Sequence, residues 1–226
     1  MAGMARHGDV PSPKEIHSWP DFLKEVGTIV LGVAIALAAG EALDAYNWRQ
    51  AVEIVEESLD DELAGSLFAA EERIKIADCQ QRTLDRLDDL ADRSRGTLVL
   101  RNAPVARNRI WATSAWDAAV ASGTIAHMPH DTRHGYAVLF SYVRLFGELN
   151  LRQQEHWATI DAYRRPRPLT ETSRARFVET VSQLHSLTGA MNLASQQFVE
   201  AAKPLDIHLS KRDAATLRQP LQCPMP

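Results

Sequence analysis

The stretch VGTIVLGVAIALAAG, Val26 to Gly40, is fifteen residues long and carries no charge. Its reading decides compartment and fold. A membrane-crossing helix needs about 20 mostly apolar residues for a hydrocarbon core of roughly 30 Å. Fifteen residues rise only about 22 Å, so the flanks must extend the span. Phe22 and Leu23 precede it, and Ala42 and Leu43 follow. Lys24, Glu25 and Glu41 stand where long side chains snorkel toward headgroups. Trp19 and Trp48 bracket the whole. They lie about 43 Å apart along a helix, close to the membrane thickness with headgroups, where Trp is enriched. Trp19, Lys24 and Trp48 are therefore expected at the membrane interface.

Two other readings compete with an anchor. Ala36-Leu37-Ala38 has the small-x-small pattern of a signal-peptide cleavage site. Against cleavage, 25 residues precede the apolar run and include Asp9, Glu15, Asp21 and Glu25. A buried helix of a soluble protein is the third reading. Orientation follows from basic residues: Arg6, Lys14 and Lys24 precede the anchor, and only Arg49 is basic in the thirty residues after it. The positive-inside rule puts the N-terminus in the cytoplasm and the body outside, as in a bacterial inner-membrane protein with a periplasmic domain. Residues 1–18 are expected to be a disordered cytoplasmic tail.

Thr28, Gly32, Ala36 and Gly40 recur every fourth residue, so a helix puts them in one row. Rows of small side chains let helix backbones approach closely. The row is a candidate for self-association or for packing against a partner's membrane helix.

Beyond the anchor, Val52, Val55, Leu59, Leu63, Leu67, Ala70, Ile74 and Ala77 recur at spacings of three and four, an amphipathic stripe continued by Leu84, Leu87 and Ala91. The helix should end near Ser94-Arg95-Gly96. A connector over 97–110 comes next, with a weak extended signal at Leu98 to Leu100. Further helices are expected over Thr113–Ala121, from Asp131 or Thr132 to Tyr163, from an N-cap at Thr170 to Lys203, and near Lys211–Arg218. The fold class is all-α. The anchor helix runs into a long amphipathic helix within an up-down bundle spanning 49–218, and a tail occupies 219–226.

Charge is uneven. Residues 41–92 carry fifteen acids and five bases, and residues 93–226 carry ten acids and seventeen bases. The net charge of −4 argues against general nucleic-acid affinity. Cys79 and Cys223 are the two cysteines. In an oxidising compartment they form a candidate disulfide, worth roughly 5 kcal/mol in the chain-entropy model.

The chain has no phosphate loop, no nucleophile elbow and no zinc-knuckle spacing. No catalytic residue and no cofactor are assigned. His127, His130 and His134 cluster at the start of the third soluble helix, and His130 and His134 share a face if that helix has begun. Such spacing can hold a transition metal, though Arg133 inside the cluster repels a cation. Arg164, Arg165 and Arg167 could fork onto a phosphate or an anionic headgroup. Trp111, Trp116 and Trp157 are read as core or end fillers.

The run Glu25 to Leu37 with Asn47-Trp48, and the piece Ser114 to Gly123 (SAWDAAVASG), resemble an uncharacterised bacterial family of single-span membrane proteins. The resemblance implies one membrane helix and a helical extracytoplasmic domain. It implies no activity and no catalytic residues. The expected role is a non-enzymatic, self-associating interaction or scaffold protein in contact with the lipid bilayer. A periplasmic sensor acting through a partner is one alternative, and a metal-dependent enzyme on the three histidines is the other.

Overall fold

The computed structural model describes residues 19–101 and 108–220. The tail over 1–18 and Cys223 lie outside the described residues. The fold is all-α. Helix α1 runs Trp19–Arg93, α2 Ser114–Ala121, α3 His130–Asp161, α4 Glu171–Ala202 and α5 Lys211–Arg218. The one ribbon among the described residues pairs β1 (Thr97–Leu98) with β2 (Arg167–Pro168), antiparallel. The chain divides between Arg49 and Gln50 into two compact units.

In the second unit α3 packs on α4, and both bury stripes against residues of α1. Leu59, Leu63, Leu139, Phe140, Val143, Phe146 and Phe198 are fully buried in one apolar cluster, which Val52 joins near the Gln50 end. Leu84, Leu87, Ala91, Ile160, Phe177, Val181 and Leu184 form a second. Edge-to-face contacts knit the rings together: Phe146 meets Phe198 at 5.6 Å and Tyr163 meets Phe177 at 5.0 Å. Trp116 is buried against Phe140, Trp111 packs partly buried on Phe146, and Trp157 sits beside the second cluster.

The helix ends follow local chemistry. Gly96 has φ +82° and Gly123 φ +77°, a region L side chains rarely adopt, so glycine lets the chain turn after α1 and α2. Thr170 caps α4 by accepting from the Ser173 amide at 3.2 Å. Ser210 caps α5 by accepting from the Asp213 amide at 3.1 Å. The start of α2 is capped from elsewhere: Thr113 makes no capping bond to it. Instead Glu62 on α1 accepts from the Ala115 amide at 2.7 Å and from the Ser114 hydroxyl at 3.0 Å.

The α1 stripe departs from expectation between residues 70 and 77. Ile74 and Ala77 are half-buried, while Arg73 and Ile76 take the inner positions. The same happens on α4, where Thr188 is buried and Leu187 only half-buried. The extended signal at Leu98 to Leu100 becomes strand only at Leu98, through its pairing with the segment around Arg167.

Candidate membrane-anchoring segment

Trp19 to Arg49 of α1 is helical throughout, and every residue in it is exposed. Helix propensity favours it in part, since six Ala and four Leu stand beside three Val, three Gly, two Ile and one Thr. In a bilayer the helix also pairs every backbone N–H and C=O within the segment, which the apolar medium demands. Leu23, Ile29, Val30, Leu31, Ile35 and Leu37 each expose about three fifths of their surface. Apolar side chains therefore point outward all round the helix, with no protein against them. A helix apolar on all sides is stable in hydrocarbon, not in water. This is the one helix among the described residues long and apolar enough to cross a membrane.

The polar groups sit where a bilayer tolerates them. Thr28 satisfies its hydroxyl by donating to the Lys24 carbonyl at 2.9 Å. Trp19 stacks on Phe22 with ring centroids 5.6 Å apart. Tyr46 and Trp48, both exposed, stand at the other end. Lys24 lies near the first end of the apolar run. Thr28, Gly32, Ala36 and Gly40 align along one face, and a Cβ built on Gly32 or Gly40 would meet nothing within 4 Å. The row is open and available to another helix.

His130 and His134 share a face with rings parallel and 6.4 Å apart, both exposed. His130 Nδ1 lies 3.1 Å from Asp131, and His127 is also exposed. Among the described residues no group of three or more His, Cys, Asp or Glu is placed to hold a metal ion. Cys79 is half-buried on α1.

Sequence reading missed a buried polar layer between the two apolar clusters. The Arg73 guanidinium donates to Gln153 Oε1 at 3.1 Å and to Asn150 Oδ1 at 3.2 Å. Gln153 in turn donates to the Thr188 hydroxyl at 3.3 Å, and Asn150 to Asn108 at 2.8 Å. Arg73, Asn150, Gln153 and Thr188 are all 5% exposed or less. Beside them Arg109 forks onto Glu72 at 2.7 and 2.8 Å and lies 5.2 Å over the Phe68 ring. That charge-assisted bond raises the Arg109 pKa above its ordinary value. The signal was present in the sequence. Asn150 and Gln153 continue the apolar series Leu139, Val143, Phe146 at core spacing, so polar residues fall in register with the core.

Three titrating groups depart clearly from their ordinary ranges near the Gln50 half of the unit. Burial, then the charges of Asp60 and Glu53, hold the Glu56 carboxyl above its usual range. Burial and the 2.7 Å bond from its hydroxyl to Asp60 push Tyr136 far up. Bonds from Thr113 and Arg144 hold Asp117 below its usual range. All three are explained by packing and pairing.

No protein family, curated protein or solved structure matches the chain.

Proposed function

We propose that this protein is a single-span, membrane-anchored interaction or scaffold protein without enzymatic activity. Its N-terminus lies in the cytoplasm, and its helical unit lies on the other side of a bacterial inner membrane. The observation that carries this reading is the exposed, all-round apolar surface of residues 19–49. Three bases before the anchor, against one in the thirty residues after it, support the orientation. Copies associate through Thr28, Gly32, Ala36 and Gly40, and the open face along that row supports this.

The disulfide between Cys79 and Cys223 belongs to the same reading. Lys75 on α1 donates to the carbonyl of Leu217, and to that of Gln219 at 2.6 Å. Cys79 is one helical turn beyond Lys75, and four residues of chain reach about 14 Å. Cys223 therefore has Cys79 within range. Non-reducing mass analysis of protein taken from the membrane should find the pair oxidised.

The test of the whole reading is topology with processing. A reporter active only outside the cytoplasm, fused after Pro226, should be active. The membrane fraction should retain a chain with its N-terminus intact. A new N-terminus at Ala39 on soluble protein would make this a secreted domain. A cytoplasmic C-terminus would overturn the orientation. Replacing Gly32 and Ala36 with Leu should weaken self-association in a membrane reporter assay, and an unchanged signal would remove the row as the interface.

A further inference from the structure

The end of the second unit far from Gln50 gathers two stretches that are distant in sequence. Leu98 faces Arg167 across the ribbon. The Leu169 amide donates to the Gly96 carbonyl, and the Leu100 amide to the Tyr163 carbonyl, each at 2.8 Å. Arg174 Nη2 reaches the Ser94 carbonyl at 2.6 Å. These bonds join residues 92–101 and 161–176 into one cap. The two stretches together contain eight arginines, no lysine and three acids.

Some of these arginines are occupied. Arg93 pairs with Asp89 at 3.0 Å and Arg164 with Asp161, both at the surface. Arg167 donates to the Ala162 carbonyl at 2.8 Å. Arg95, Arg101 and Arg165 are exposed, and no hydrogen bond or ion pair holds their side chains among the described residues. A shallow groove of about 180 Å³, lined by Arg86, Asp89, Leu90 and Arg93, opens at the same end of α1. Like charges crowded at one end repel, and they raise the local concentration of anions. Arginine presents a planar fork of donors that matches phosphate oxygens in pairs, which lysine does not.

We propose that this arginine cap is a docking surface for a phosphate-bearing polymer. The forks of Arg95 after α1, Arg101 after β1 and Arg165 before β2 can each take one anionic group of a repeating chain. Two other occupants fit less well. A bilayer surface needs apolar side chains to insert beside the bases, and the two stretches expose one large apolar side chain, Val99. The acidic end of a second copy is also complementary, since residues 53–62 hold six acids and no base. That end lies at Gln50, and α1 rises about 65 Å from Gln50 to Arg93. A copy docked this way stacks end to end or lies antiparallel, and the polyglutamate arm of the test distinguishes that carboxylate partner from phosphate.

The test uses the full chain in nanodiscs of zwitterionic lipid, with fluorescently labelled inorganic polyphosphate followed by anisotropy at low salt. Binding is expected, and it should weaken steeply as salt rises. Arg95, Arg101 and Arg165 changed together to Ser should weaken it by at least about tenfold, since exposed charge contacts are each worth a few-fold. R165E alone should lower it several-fold. Lys211, Arg212 and Arg218 on α5 changed to Ser should leave it within about twofold, which separates the cap from net charge. Helicity and melting temperature report folding independently of binding. Absence of binding, or a triple variant that binds like the parent, would overturn the proposal. So would equal binding to polyglutamate, or equal binding to vesicles of phosphatidylglycerol, which would assign the cap to carboxylates or to a bilayer. Failure of the chain to enter nanodiscs at all would count against the anchor instead.

Discussion

Val33 lies fourteen residues from Trp19 and fifteen from Trp48, so it sits at the middle of the anchor. It is 54% exposed, with no protein to shelter a charge placed there. The segment from Val26 to Gly40 contains six Leu, Ile and Val residues besides its Val26 end. Each favours insertion by about 0.3 to 0.6 kcal/mol at the helix centre, or about 2 to 4 kcal/mol together. One arginine at the centre costs about 2.5 to 3.5 kcal/mol on the same scale. Val33→Arg therefore offsets most of what holds the helix in the bilayer. The loss, including the missing valine, is about 3 to 4 kcal/mol, or more than about a hundredfold in the ratio of inserted to uninserted chain. Val33→Leu should insert like the parent. The assay is alkaline carbonate extraction, with the reporter after Pro226 read in parallel. Val33→Arg should move into the supernatant or be degraded, and reporter activity should fall. A variant that stays in the pellet with a fully active reporter would refute the claim that this segment is held by lipid alone.

Three further outcomes are expected in the second unit. Glu62→Ala removes the acceptor for the Ala115 amide and the Ser114 hydroxyl; α2 should lose about 1 kcal/mol, seen as a melting temperature about 2–4 °C lower, and an undisturbed melt would show that the cap contributes nothing. Gln153→Leu takes away an acceptor of the buried Arg73 guanidinium and strands the Thr188 hydroxyl; urea unfolding should show a loss of about 2–4 kcal/mol, and adding Arg73→Met should restore part of it. Glu56→Gln tests the raised carboxyl. Because the folded state holds that proton more tightly than the unfolded chain, the parent loses stability as pH rises through and just above the ordinary carboxylate range. The variant should melt higher than the parent at neutral pH and match it in acid, and a difference independent of pH would refute the burial effect.

The helices were legible because their signals are local. The three-and-four spacing of Leu59, Leu63 and Leu67 fixes a face, Thr170 can cap only the helix that begins after it, and Pro129 and Pro204 interrupt helices by covalent geometry. The long apolar N-terminal helix was legible for the same reason, since an uncharged apolar run has few places to go in water. Long-range partners were not. The cap of α2 comes from Glu62, 53 residues before the amide it accepts from. The inner position at Arg73 depends on two amides 77 and 80 residues away. Neither partner can be read from the residues beside it.

By itself, the sequence determined the helical class, the extents of the helices, the long apolar N-terminal helix and the imbalance of charge along the chain. These depend on periodicity, capping and hydrophobicity, which act over a few residues. Only the tertiary structure decided that a polar layer splits the core, that the acids near Glu56 share space with Tyr136, and that arginines around Arg95 and Arg165 meet at one end. Such pairings depend on which surfaces the packed helices bring within a few ångströms, and that distance is set by the whole fold.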